Sequence, residues 1–502
     1  LVLAEGILQA LIERIKSTRY TLLWIIVLGA VLRVIHLTTS SIWHDEGYTM
    51  MLVPRSVGAI IDGTARDVHP PLYYLLLHFW TLVFGTSIWS VRGFSAVVGI
   101  LLIPLVYLIL KRLFSTKIAL YGAFFTAIAP FLIRFSQEVR MYGLVALFAT
   151  LATYALIRAL ENQRWRWWII YTLAVTAAVY TQYYGLLIVA AHVIYVFTLA
   201  VMRRGEGRWR ALLSYWRFAA SLFTAALLFL PWIPILFAQL NRVTGHYWIQ
   251  QGWITIHTVP SSLYEFSYYD HLDFLLKGYW HEFPALLLLI LTVFTYFRYR
   301  KQWREVTLLV ASFIVPTTLM WTYSKLRSPV YQDRYFPFAA VGFYAMMALW
   351  IFTPKKVWLQ RALFVFFTVS LLGGTTAMYL ETNHQMKQAA SIINEQYRPG
   401  DEVASLDLYT YFDFHYYNHT GYEAKLYSRG PFTYGEPGLL QGREDLRISY
   451  LTEVTSKSGK LWAVSHTGKH TYNNEIPRNW QLLQEAVRGN VLIREYKVPK
   501  ST

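Results

Sequence analysis

Two carboxylates stand side by side in Trp43-His44-Asp45-Glu46-Gly47-Tyr48, a few residues beyond the end of an apolar run. An acid at such a place can accept a proton, position hydroxyls or ligate a metal ion. Buried at mid-bilayer it would cost roughly 2.5–3.5 kcal/mol, and far less at the interface, so a functional acid and a plain helix cap are both open at this stage. Asp67-Val68-His69-Pro70-Pro71-Leu72-Tyr73-Tyr74 follows, and paired prolines can open a helix but not extend one backwards, which fixes His69 at a helix entrance. A lone histidine is more often structural than catalytic. Arg134-Phe135-Ser136-Gln137-Glu138-Val139-Arg140-Met141-Tyr142 has basic and acidic groups close enough for an ion pair between Glu138 and an arginine, or for ligand contacts. The last cluster, Tyr323-Ser324-Lys325-Leu326-Arg327-Ser328-Pro329-Val330-Tyr331-Gln332-Asp333-Arg334-Tyr335, is cationic. Guanidinium groups can give paired hydrogen bonds to a lipid phosphate, with anchoring to ordinary headgroups as the plainer alternative.

The elements that must hold these clusters are set by lipid. Of 502 residues, 55% are hydrophobic and only 15% charged, too apolar for a water-soluble chain of this length. The 19 Trp and 37 Tyr suit membrane interfaces and the stacking of sugar faces equally. A net charge of +17 suggests nucleic acid at first sight, but the basic residues form short clusters between apolar runs, and topology explains them more simply. Without cysteine there are no disulfides, thiolate metal sites or cysteine nucleophiles.

Apolar runs lie near residues 21–37, 92–110, 118–133, 141–157, 167–182, 185–202, 217–238, 284–297, 306–322, 335–353 and 362–380. A span needs roughly 20 residues, and Pro71 to Gly85 falls short, which suits an interfacial or re-entrant helix. If that stretch does not cross, the basic clusters at Lys111–Lys117, Arg158–Arg166, Arg203–Arg217, Arg298–Arg304 and Lys355–Arg361 share one side with Arg14, Lys16 and Arg19. The positive-inside rule makes that side cytoplasmic. The expectation is therefore a polytopic α-helical plasma-membrane protein of about eleven transmembrane helices. Its N-terminus is cytoplasmic, interfacial helices occupy the first outer loop, and a small soluble α/β domain follows outside.

Residues 1–20 read as an interfacial helix, 21–382 as the transmembrane domain and 383–502 as the extracytoplasmic domain. No cleavable signal is expected ahead of the first span. In the last segment MKQAASIINEQY reads as a helix, Pro399-Gly400 as a turn, and EVASLDL, LWAVSH and VLIREYKV as strands.

The ordered set resembles the GT-C superfamily of membrane glycosyltransferases, in the branch of the lipid A aminoarabinose transferases and protein O-mannosyltransferases. The likeness rests on Asp45-Glu46 after the first span, on His69-Pro70-Pro71-Leu72-Tyr73, and on Trp89, Val91 and Arg92. Ser136-Gln137-Glu138-Val139-Arg140-Met141-Tyr142 and Arg334-Tyr335 complete it.

The resemblance implies an inverting hexosyl- or pentosyltransferase using a polyprenyl-phosphate sugar on the non-cytoplasmic side, in the synthesis of cell-envelope glycans. Asp45 would be the general base. Arg140, Lys325, Arg327 and Arg334 would meet the leaving phosphate, with Glu46, His69, Glu138 and Tyr142 also contacting substrate. No metal is required on this account, although a divalent ion held by His44, His69 and these acids stays open. His69 stands where the aminoarabinose transferases have a lysine, so no lysine contact to phosphate carries over.

A flippase or transporter for a lipid-linked saccharide is the alternative of another class, and a ligase or polymerase using a polyprenyl diphosphate is the alternative enzyme. The flippase predicts mid-membrane charges and inverted repeats, and the sequence shows neither. Loop 239–282, with His246, Tyr247, Trp248, His257, Tyr264, Tyr268 and Tyr269, is expected to close over the acceptor, which the C-terminal domain helps to recognise.

Overall fold

The computed structural model describes residues 18–203, 210, 213–243, 249, 251–268, 282–380, 385–433, 435–468 and 475–501. Residues 1–17 of the expected interfacial helix, and His246, Tyr247, Trp248 and Tyr269 of the expected acceptor loop, lie outside them. Two compact units make up the chain, one of Leu1–Ile35 with Arg92–Leu380 and one of His36–Val91 with Glu381–Thr502.

The first unit is helical, and each of the eleven apolar runs is helical, the one at 118–133 as two helices. Six helices are long and apolar enough to cross a membrane: Ile88–Leu113, Tyr142–Asn162, Tyr183–Val201, Trp216–Arg242, Arg300–Leu326 and Val357–Leu380. Thr116–Ile128 with Pro130–Ser136 makes a seventh if that pair, bent by 57°, is one span. The other four, Thr18–Val34, Trp165–Thr181, Glu282–Arg298 and Pro337–Phe352, are only 16 or 17 residues long. Length therefore supports six or seven full crossings among the described residues, fewer than the eleven expected. Large apolar side chains such as Phe223, Phe237, Phe297 and Val369 are exposed along these helices, as lipid-facing surfaces require. The chain is a membrane protein.

Pro337–Phe352 is apolar all round and buried along nearly its whole length, so it is the core helix of the unit, packed against Trp303–Leu326, Thr116–Ile128 and Tyr142–Asn162. The run at 118–133, expected as one span, is broken. Ala129 is extended (φ −67°, ψ 116°) and Pro130 has no N–H to give back. Three carbonyls that lose helical donors there are met from elsewhere: Arg33 donates to Thr126 O (3.1 Å) and Ala127 O (3.0 Å), and Thr375 Oγ1 donates to Ile128 O (3.0 Å). Gln137 Nε2 donates in turn to Arg33 O (3.1 Å) and Ile35 O (2.8 Å), tying the motif that follows the break to the end of Thr18–Val34.

The second unit contains the expected small domain. Helix Met386–Gln396 and strand β1 (Glu402–Ser405) lie on either side of the turn at Pro399-Gly400, where Gly400 takes φ +101°. Then come β2 (Lys425–Tyr427), β3 (Arg447–Ile448), β4 (Lys460–His466), β5 (Gln481–Arg488) and β6 (Val491–Lys497), in the order β3-β2-β1-β4-β6-β5. The first three and β4 run parallel, and β6 is antiparallel to both β4 and β5. Ala404, Leu406, Leu461, Ala463, Trp480 and Tyr496 form its core.

Residues 36–91 pack within this same unit. They form helices His44–Leu52, Val57–Arg66 and Leu72–Phe84, the last with Pro71 at its N-cap as the paired prolines predict. Ile42 N–H donates to Tyr417 OH (2.9 Å), Lys387 N–H to Ser41 Oγ (3.0 Å) and Arg55 to Leu439 O (3.0 Å). At Gly47, helix His44–Leu52 comes so close to helix Leu408–Tyr417 that an added Cβ would run into the backbone of Phe412 and Asp413.

Candidate active site

Asp45 and Glu46 occupy the first turn of helix His44–Leu52, where carboxylates suit the positive end of the helix dipole. Trp43 N–H donates to Glu46 Oε2 at 3.4 Å, which helps to cap that end. Both acids are buried, Asp45 at 7% exposure and Glu46 at 0%.

The neighbouring His44 is buried too, its ring 5.5 Å from those of Tyr409 and Phe412, and its Nε2 lies 2.7 Å from Glu436 Oε2. Burial alone would push the imidazole down. The Glu436 carboxylate, through charge and hydrogen bond, with help from Asp45 and Asp413, pushes it up to about 9 instead. At neutral pH His44 is therefore an imidazolium paired with Glu436, and the turn that carries Asp45 is held by a charged contact on one side and by the close approach at Gly47 on the other.

His44, Asp45 and Glu436 each offer one ligand atom, all within 4.8 Å of one another. One nitrogen and two oxygens suit a divalent ion such as zinc. The set fits, provided the ion displaces the proton shared by His44 and Glu436, as metal binding to a histidine requires. A metal there would supply Lewis acidity. His69, half-buried in the turn ahead of Leu72–Phe84, is not part of this set, and the buried Asp67 caps the end of Val57–Arg66.

The remaining sequence candidates lie in the helical unit. Arg134 Nε donates to Glu138 Oε1 at 2.6 Å, one helical turn apart, so the ion pair that the spacing allowed is present. Arg140 is buried just ahead of helix Tyr142–Asn162. Tyr142 sets its ring 5.0 Å from Phe135 and 6.2 Å from Tyr335, bringing the 136–142 motif to Arg334-Tyr335. Tyr335 also stacks on Tyr184 (4.6 Å, 29°), and the Arg334 guanidinium lies 5.4 Å from the Tyr335 ring. Lys325 and Arg327 are exposed at the end of Trp303–Leu326, with Lys325 Nζ donating to Ile254 O at 3.0 Å.

Across 94% of its length the chain follows the fold of ArnT from Cupriavidus metallidurans in the apo state, covering 97% of that chain with a TM-score of 0.61 at 13% identity. The chain shares the fold of ArnT. ArnT bound to undecaprenyl phosphate gives a TM-score of 0.59, with 13% identity and the same coverage. The oligosaccharyltransferase of Archaeoglobus fulgidus, in complex with zinc and sulfate, gives 0.55 at 14% identity, over 90% of this chain and 68% of that one. The model of the dolichyl-phosphate-mannose-protein mannosyltransferase family matches residues 68–235 of this chain, the stretch with His69, Glu138, Arg140 and Tyr142. No curated protein matches the sequence.

Sequence reasoning missed Glu436, which is 392 positions from its partner and is marked by no motif. It also missed Tyr184 and Gln182, which lie where the apolar runs at 167–182 and 185–202 meet.

Proposed function

We propose that the chain is an inverting glycosyltransferase that moves a sugar from a polyprenyl-monophosphate carrier to a hydroxyl of a lipid, glycan or protein on the non-cytoplasmic face of the membrane. The observation that carries this reading is the mannosyltransferase family match at 68–235, in a chain whose fold follows ArnT over nearly its whole length. ArnT bound to undecaprenyl phosphate and the archaeal AglB in complex with dolichol-phosphate support a lipid-phosphate carrier.

In this reading Asp45 takes the proton of the acceptor hydroxyl as its oxygen bonds to the anomeric carbon. The bond from that carbon to the phosphate oxygen breaks, and its electron pair leaves with the lipid phosphate. Attack from the face opposite the phosphate inverts the configuration. General-base assistance of this kind contributes roughly 10² to 10⁴ in rate. Arg140 and Arg334 meet the charge that grows on the phosphate, which fixed cations stabilise without reorganising. Lys325 and Arg327, being exposed, attract the headgroup from further off. Glu46, His69, Glu138 and Tyr142 position hydroxyls and the arginines. Residues 383–502 and the loop at 239–282 select the acceptor.

The test is transfer of labelled sugar from a panel of polyprenyl-monophosphate sugars by the purified protein, with the anomeric configuration of the product read by NMR. Transfer with inversion supports the reading. Movement of intact lipid-linked sugar across liposomes without transfer, or transfer with retention, overturns it.

A further inference from the structure

We infer that Gln182 is a sugar-binding amide, its carboxamide contacting hydroxyls on the sugar of the lipid-linked donor. The inference rests on the transferase reading above and names a residue which that reading does not use.

Gln182 ends helix Trp165–Thr181 in an extended conformation (φ −160°, ψ 134°) and leads into the 3-10 turn Tyr183–Gly185. It is 2% exposed, and neither its Oε1 nor its Nε2 has a hydrogen-bond partner among the described residues. The polar groups next to it in sequence are already bonded elsewhere. Its own N–H donates to Ala178 O (2.9 Å) and its C=O accepts from Gly185 N–H (2.9 Å). Thr181 Oγ1 donates to Ala177 O (2.7 Å), Tyr183 OH accepts from Trp232 Nε1 (2.7 Å), and Tyr184 OH donates to Val330 O (2.8 Å). At Gly185 an added Cβ would lie 2.9 Å from Ala178 C, so the turn is packed tightly on the preceding helix and the place of Gln182 is fixed.

An unmade hydrogen bond on a buried polar atom costs about tenfold in the folding equilibrium, and here both ends of one amide carry that cost. Such a group is accounted for when a ligand supplies the partners. A primary amide both donates and accepts, which matches hydroxyls that do the same. Two residues on, Tyr184 stacks on Tyr335, and Arg334 precedes that ring. An amide, a pair of aromatic rings and a guanidinium on neighbouring positions suit the hydroxyls, apolar face and phosphate of a sugar phosphate.

The experiment compares the melting temperature of the purified full chain with that of Gln182→Leu, alone, with polyprenyl monophosphate, and with the same lipid carrying a sugar. Leucine keeps the bulk and removes both orphaned groups. The expected result is a ligand-free variant that melts no lower than wild type, keeps its stabilisation by the bare lipid phosphate, and loses the extra stabilisation that the sugar gives. A variant that melts several degrees lower without lipid shows a structural amide satisfied by water and overturns the inference. So does a variant that keeps the sugar's increment. If wild type gains nothing from any sugar over bare lipid phosphate, the donor reading falls and the role of Gln182 falls with it.

Discussion

Arg33 donates to the carbonyl of Thr126 at 3.1 Å, the carbonyl that would pair with residue 130 in an unbroken helix if residue 130 were not proline. The guanidinium is fully buried, and it also donates to Gly29 O, Ala127 O and Ser136 Oγ, all uncharged. A planar fork with five donors can satisfy several carbonyls at once, whereas an ammonium on a flexible stem cannot keep that geometry. The bend that starts the 130–142 stretch is thus held at two of its freed carbonyls by one side chain from another helix, with Thr375 meeting the third.

Removing that fork leaves stranded carbonyls in an apolar setting, each costing roughly 1–3 kcal/mol. Arg33→Met is expected to lower thermal stability in detergent. Arg33→Lys is expected to recover only part of the loss, although its charge is kept. Equal stability of Arg33→Lys and wild type would show that charge, rather than the fork, is what the bend needs.

The His44–Glu436 pair has a pH signature. The folded imidazole titrates at about 9, above the roughly 6.5 of an unfolded chain, so the pair's contribution is full below about 6.5 and lost as pH rises through 9. Wild type should lose more stability than Glu436→Gln between pH 6.5 and 9, and thermal unfolding across that range reads the difference. Identical slopes would mean that the pair does not carry the shift.

Gly47→Ala introduces a Cβ against the backbone of Phe412 and Asp413, which cannot move aside as a flexible side chain could. Overpacking of this kind costs about 1–3 kcal/mol. Because Gly47 is two residues from Asp45, the substitution is expected to lower activity as well as stability, measured by transfer assay and thermal unfolding.

Arg140→Gln and Arg334→Gln should each raise the KM for a polyprenyl-monophosphate donor about tenfold or more, since a hydrogen bond to a charged group is worth roughly 1.5–3 kcal/mol. Exposed Lys325 and Arg327 should matter less, and more at low salt than at high. Steady-state kinetics at two ionic strengths separates the two pairs.

Local signals carried well from sequence to structure. Pro70-Pro71 announced a helix that begins at Leu72, and Arg134 and Glu138, four apart, form the ion pair that their spacing allowed. Helix, turn and three strands of the C-terminal unit fall where periodicity put them. What stayed hidden depends on long-range contacts. Arg33 read as one charge at the end of an apolar run, and its partners Thr126 and Ala127 lie more than ninety positions away. Glu436 sits in a segment without a motif. The grouping of residues 36–91 with the C-terminal unit follows from tertiary packing, which no local pattern encodes.

The most direct test of the central claim is turnover of a polyprenyl-monophosphate sugar by wild type and Asp45→Asn, each with and without a chelator. The account predicts a loss of about 10² or more in kcat in the variant, with wild-type turnover surviving the chelator. Normal turnover by Asp45→Asn would contradict Asp45 as the base, and loss of wild-type turnover on chelation would place a metal at His44, Asp45 and Glu436 in the reaction instead.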